Sequence, residues 1–204
     1  MTTNYVADVF SVTNTEAFSA RWLARIQPLR SRGLISAELF IKTQDIRESS
    51  GYAAMSLLAV QDTLCPDGIP WFTELSLNEH TTRVFCSLNT ALNISDAEDD
   101  VSSVWLINPF EITLAERSDV ISMWNNARDA LLDKKGLMNA RLFQSEVNAK
   151  YNLFNIAQWS SADAIHSALN HSDYSSHREK SQQYILHPSL CVRKYHLIGD
   201  TTHE

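Results

Sequence analysis

The sequence predicts an α+β protein made of two tandem βαββαβ units, and three observations carry that prediction. The first is an internal repeat. Arg32-Gly33-Leu34-Ile35-Ser36-Ala37-Glu38-Leu39-Phe40 lines up with Lys135-Gly136-Leu137-Met138-Asn139-Ala140-Arg141-Leu142-Phe143. Gly, Leu, Ala, Leu and Phe are identical, and two of the chain's 5 glycines fall at the matched position. The same offset pairs Phe18 with Ile121 and Ala24 with Ala127. The second observation is the acidic segment 93–103, NISDAEDDVSS, near the middle of the 204 residues. Like charges in a row repel and leave little to bury, so the segment reads as a solvated linker. The third is that each half alternates strand and helix signals in the same order.

In the first half, strands are expected over 4–12, 34–42, 53–61 and 82–89, with a helix over 15–32. Phe18, Trp22, Ile26 and Leu29 recur at helical spacing and form a core stripe. The second helix is weakly marked and is placed at Pro70–Leu77. In the second half, VWLINPF over Val104–Phe110 is β-branched and aromatic, hence a strand. Val120, Trp124, Ala127 and Leu131 mark a helix over 118–135. Ser118 is its expected N-cap, and Gly136 its expected left-handed C-terminal residue. Leu137–Glu146 and Tyr151–Trp159 follow as strands, with a turn around Asn148. Ser160-Ser161-Ala162-Asp163 opens a second helix, and Ser189–Ile198 is the last strand. This order is the ferredoxin-like split unit. The expected division is 1–92 for a non-catalytic N-terminal repeat, 93–103 for the linker, and 104–204 for the repeat that carries the site. The sheets of the two units are expected to pack face to face.

Composition limits the function. Hydrophobic residues are 44% and charged residues 20%, an ordinary globular balance. The net charge of −7 argues against nucleic acid and anionic membranes as partners, since both select a positive surface. Much of that excess is Asp96, Glu98, Asp99 and Asp100. Cys65, Cys86 and Cys191 are an odd number without CxxC spacing, which suits a reducing, cytoplasmic setting. The first ten residues, MTTNYVADVF, lack the basic segment and long apolar run of a signal peptide, and no run approaches the about 20 apolar residues of a membrane span, so a soluble, intracellular protein is expected. His166, His171 and His177 lack the i, i+4 spacing of a metal pair, and His187, Cys191 and His196 are too loosely spaced. No metal is therefore expected.

Ile107-Asn108-Pro109-Phe110-Glu111, Lys135-Gly136-Leu137 with Ala140-Arg141-Leu142, and Phe154-Asn155-Ile156-Ala157-Gln158-Trp159 stand in one order and spacing. In these the second half, residues 103–198, resembles the antibiotic biosynthesis monooxygenase family. The first half resembles it through its helix and its Gly-Leu strand. The resemblance implies a dimeric α+β barrel. Two tandem repeats would form that barrel within one chain, as a monomeric pseudo-dimer or as part of a homodimer. It also implies a cofactor-independent oxygenase that uses O2 to oxidise an aromatic, anthrone- or polyketide-like molecule to a quinone-type product. The family's pocket uses a first-strand asparagine, and an asparagine and tryptophan four apart on the third strand. Asn108, Asn155 and Trp159 match those positions.

The residues suit that chemistry. On one strand Asn155 and Trp159 share a face with Leu153 and Ala157. A buried amide donates hydrogen bonds, and such donors stabilise a developing enolate as an oxyanion hole does. A tryptophan offers a flat wall for a polycyclic ligand. Trp124, on the covering helix, joins the expected substrate contacts. So do Tyr174, His171 and His177 after the second helix, with Arg178 as a cation. Aligning the third strands places Leu57 at Asn155 and Gln61 at Trp159, so the first repeat is expected to be scaffold. Two other readings remain. One is a small-molecule binding protein without catalysis. The other is a heme-degrading monooxygenase of the same fold, which ranks lower. Asn108 fits that pattern, its tryptophan falls near Ala168, and His177 matches its iron ligand approximately.

Overall fold

A computed structural model describes residues 3–47, 51–61, 80–94, 103–132 and 134–200. The first repeat contains β1 (Thr3–Ser11), α1 (Thr15–Ile26), β2 (Leu34–Asp45), β3 (Ala54–Gln61) and β4 (His80–Asn93). The second contains β5 (Val104–Glu111), α2 (Arg117–Leu131), β6 (Leu137–Ser145), β7 (Leu153–Trp159) and α3 (Ala162–Asn170). It continues through a 3₁₀ turn (Ser172–Tyr174), α4 (Ser175–Ser181), β8 (Ile185–Leu186) and β9 (Ser189–Ile198). The expected helix at 70–77 and most of the acidic segment lie outside the described residues. No helix among the described residues is long and apolar enough to cross a membrane.

Both repeats have the strand order of the split unit, β4-β1-β3-β2 in the first and β9-β5-β7-β6 in the second. The hydrogen-bonded sequence of strands is β7-β6-β4-β1-β3-β2-β9-β5-β8, and β7 also pairs with β5. The ladder therefore closes into an antiparallel α+β barrel fold, with β4-β1-β3-β2 and β9-β5-β7-β6 as its two equivalent runs. The two runs meet at their edges, where β6 pairs with β4 and β2 with β9. This follows from strand length: β2 and β4 run 12 and 14 residues, beyond the expected ends at 42 and 89.

The chain folds as two compact units. One contains β1, α1, β3, residues 34–42 of β2, 80–87 of β4 and 193–198 of β9. In it Phe18, Trp22 and Ile26 bury one face of α1. Burying side chains of this size contributes about 1.5–3 kcal/mol each. Trp22 stacks on Tyr195 at 6.1 Å, and Phe10 meets Phe18 at 4.7 Å. Asn14 caps α1 by accepting from the Ala17 N–H at 2.9 Å. The helix stops at Ile26 rather than 32. Pro28 lies in the first turn of a 3₁₀ helix there, and its missing N–H cannot continue the α ladder.

The other unit contains residues 43–45 of β2 with 46–47 after it, 88–93 of β4, β5 through β8, and 189–192 of β9. Here Ser118 does not cap α2. The N-cap is Glu116, and the turn before it is a capping box written as Thr113-x-x-Glu116. The Glu116 carboxylate accepts from the Thr113 N–H and hydroxyl, both at 2.8 Å, while Thr113 Oγ1 accepts from the Glu116 N–H at 3.3 Å. Those bonds hold the Glu116 carboxyl below its usual range. Ser161, within the segment expected to open this helix, caps α3 by accepting from the Ala164 N–H at 3.1 Å. Gly136 lies beyond the α2 C-cap, Leu132, and has φ +104° in the turn into β6. Gly33 has φ +92° before β2, and both strands then slip register by one residue.

Candidate functional site

The second unit contains a cavity of about 460 Å³ between its sheet and its helices. The two-residue period of a strand decides which side chains reach it. β5 contributes Leu106, Asn108 and Phe110; β7 contributes Asn155, Ala157 and Trp159. Met123, Trp124 and Leu131 of α2, and His166 and Leu169 of α3, cover this floor. The walls are largely apolar, so the few polar groups act in a poorly screened setting.

Asn108 and Asn155 are direct cross-strand partners in the β5–β7 ladder. Opposed residues have Cβ atoms about 4.5–5.5 Å apart, so the two amides sit side by side. Each is held by its oxygen. Trp124 Nε1 donates to Asn155 Oδ1 at 2.9 Å, and the His187 N–H donates to Asn108 Oδ1 at 2.9 Å. Indole and backbone N–H groups can only donate, so each amide must offer its oxygen to them. Neither amide nitrogen donates to a group among the described residues. Two N–H₂ groups thus remain for a ligand. The anchors are themselves fixed. Arg128 lies 5.8 Å from the centre of the Trp124 ring. His187 Nε2 is 3.1 Å from Glu111 Oε2, and Tyr151 meets the imidazole edge-on at 5.7 Å.

Trp159 lines the cavity but is only 1% exposed, and its Nε1 is buried without a partner among the described residues. It is a floor rather than an open stacking face. Trp124, Tyr174, His177 and Arg178 also line the cavity. His171 does not. It is exposed, its Nδ1 accepts from the Asp173 N–H at 3.2 Å, and it caps the 3₁₀ turn. Ala168 is buried in the core on α3. Among the described residues no group of three or more His, Cys, Asp or Glu is placed to hold a metal.

Burial pushes the His177 imidazole down from 6.5 to about 4. It is therefore neutral at pH 7. The unfolded chain binds this proton more readily than the folded one, so stability rises with pH. We expect the contribution of His177 to be complete above about pH 6.5 and to fade toward pH 4. A melting series over that range, repeated on His177→Gln, checks this. Equal pH slopes in both proteins would refute it.

Several lining residues escaped the sequence. Gln44 and Asp45 at the extended end of β2, and Ile46 and Arg47 just after it, come from the repeat expected to be pure scaffold. No local pattern marks them, because contacts distant in sequence bring them here: β2 pairs with β9, and the Ile46 N–H donates to the Pro188 carbonyl at 3.0 Å. The first-repeat counterparts also need correction. In the β1–β3 and β2–β3 ladders, Asp8 pairs with Ser56, and Leu34 with Val60. In the second repeat, Asn108 pairs with Asn155, and Leu137 with Trp159. Ser56 and Val60, not Leu57 and Gln61, therefore stand at Asn155 and Trp159. A one-residue slip places a side chain on the opposite face. Asp8 stands at Asn108, and its carboxylate is held by Arg83 at 2.7 and 2.9 Å. That pair offers no amide donor.

No protein-family model and no curated protein matches the sequence. Solved structures do resemble it. An anthrone oxidase-like protein aligns over 100% of this chain and 96% of its own, at 9% identity and TM-score 0.73. A "putative monooxygenase" from Lactobacillus acidophilus aligns over 98% and 97%, at 8% identity and TM-score 0.61. Another so named, from Fusobacterium nucleatum, aligns over 96% and 94%, at 8% identity and TM-score 0.64. At these identities the likeness shows the fold. The chain has the α+β barrel fold of these proteins along its whole length.

Proposed function

We propose that the chain is a monooxygenase that uses O2 to oxidise an aromatic, anthrone-type small molecule, without a bound cofactor. The observation that carries this reading is the pair of adjacent amides, Asn108 and Asn155, each with its oxygen pinned and its N–H₂ unspent in an apolar cavity. Such a pair is complementary to an oxygen that gains negative charge. Loss of a ring-methylene proton turns the substrate carbonyl into an enolate, and both amides donate to that oxygen. The enolate is electron-rich enough to give an electron to O2. Recombination forms a carbon–oxygen bond, the resulting peroxide takes back the proton released in the first step, and loss of water from the hydroperoxide leaves a new carbonyl. One oxygen atom enters the product and the other leaves as water. The names of the whole-length structural neighbours support the same class of reaction.

Incubating the purified protein with anthrone tests this with an oxygen electrode and product chromatography. The expected result is catalysed O2 uptake with one equivalent of anthraquinone formed per O2. Saturable ligand binding with no catalysed uptake, across a panel of anthrone-like phenols, would establish a binding protein instead.

A further inference from the structure

The cavity carries a charge that the amide pair leaves unused. Arg47, Arg128 and Arg178 line it, and Asp45 is the one carboxylate among the described lining residues. Arg128 is already neutralised by the Asp129 carboxylate, at 2.9 and 2.7 Å. Asp45 accepts from the Ser189 hydroxyl at 3.2 Å. Arg47 is different. It is half-buried, and its guanidinium bonds only to neutral oxygens of Ser181, the backbone carbonyl at 3.2 Å and the hydroxyl. No carboxylate pairs with it among the described residues. Burial pulls its proton affinity down, the mark of a cation that lacks compensation. Leaving such a charge out of water without a counter-ion is unfavourable, and an anionic ligand would reverse that.

Two neighbours complete the corner. The Tyr174 phenol is buried and feels the positive charge of both Arg47 and Arg178. Its ring rests 4.5 Å from His177, and its hydroxyl bonds to no group among the described residues. Burial raises its pKa, so it stays a protonated donor. The ladder sets how far the backbone leading to Arg47 lies from the strand that carries Asn108. Asn108 is on β5, β9 pairs with β5, and β9 holds the end of β2 through Ser189 and Asp45. Two strand spacings make about 10 Å. That is the long dimension of a fused aromatic system.

We propose that the ligand of this cavity is an aromatic carboxylic acid, its carboxylate held by Arg47 beside Arg178 and the Tyr174 hydroxyl, its ring oxygen at Asn108 and Asn155. The proposal rests on the aromatic-ligand reading of the same cavity and adds the substrate's fixed charge. It also gives the first repeat a direct part in recognition, since Arg47 follows β2.

Anthracene-2-carboxylate and its neutral isostere anthracene-2-carboxamide test it, with binding read by tryptophan quenching. A charge-assisted contact predicts that the wild-type protein binds the carboxylate about 10- to 100-fold more tightly. Arg47→Gln is expected to remove most of that ratio while changing carboxamide affinity less than about 2-fold, and Arg47→Lys to keep part of it. Equal affinities in the wild type, or an equal loss for both ligands in Arg47→Gln, would overturn the proposal. The wild-type ratio needs no variant and decides the matter even where Arg47→Gln fails to fold. The oxygenase reading fails separately. A carboxylate preference without O2 uptake leaves the anion site standing in a binding protein. Turnover of neutral anthrone without any carboxylate preference leaves an oxygenase with no anion site.

Discussion

Asn155→Ala is expected to lower turnover of an anthrone-type substrate by about 10²–10³-fold, the usual loss for one oxyanion donor. The donor matters mainly as charge develops, so kcat and kcat/KM fall together. The alanine also strands the Trp124 N–H, which now bonds Asn155 at 2.9 Å in a buried setting. An orphaned donor costs about 1–3 kcal/mol, so the melting temperature drops as well. Asn155→Asp separates the two effects. It keeps an oxygen for Trp124 but replaces the ligand-facing donor with negative charge, so turnover is lost with the indole contact retained. Trp124→Phe tests the positioning role. It frees the Asn155 amide to rotate, and kcat is expected to fall about 10-fold or more while KM changes little. The control is Ser56→Ala. Ser56 occupies the matching ladder position in the first repeat, and its buried hydroxyl has no partner among the described residues. Its removal leaves turnover unchanged. Steady-state O2 uptake with thermal melts on each variant checks the set. Full activity in folded Asn155→Ala would remove the oxyanion role altogether.

A large structural effect is expected from Gly136→Ala. Gly136 has φ +104°, a conformation that L side chains rarely adopt. A Cβ there would lie 2.5 Å from Ala164 Cβ and 2.8 Å from Ser160 Oγ. Backbone strain of about 1–3 kcal/mol adds to overpacking of about 1–3 kcal/mol. For a chain of this size that is a fall in melting temperature of roughly 5–20 °C. Because α3 carries His166 and Leu169 on the cavity wall, displacing it weakens ligand binding too. Gly51→Ala is the comparison. Gly51 also has positive φ, +69°, but a Cβ there meets nothing within 4 Å. Its cost is backbone strain alone. If the two variants melt together, the close approach of β6 and α3 is not what Gly136 serves.

The sequence by itself determined the elements and their duplication. Gly33-Leu34 and Gly136-Leu137 mark the same positive-φ turn followed by the same register slip, because a residue without Cβ is needed there in both repeats. Local chemistry of this kind is written within a few residues. So is the capping box at Thr113 and Glu116, although Ser118 was the more obvious serine. The period of two on β7 likewise places Asn155, Ala157 and Trp159 on one face. Only the tertiary structure decided what those residues meet. The pairing of Asn108 with Asn155 spans two strands, and the Trp124 bond that orients the amide spans 31 positions. The ladder register also moved the first-repeat counterparts to Asp8, Ser56 and Val60, since a shift of one residue is invisible in composition yet reverses every side chain. Arg47 was beyond sequence reasoning for the same reason. It enters the cavity through hydrogen bonds between β2 and β9, elements some 140 residues apart, and backbone pairing at such separation leaves no local pattern.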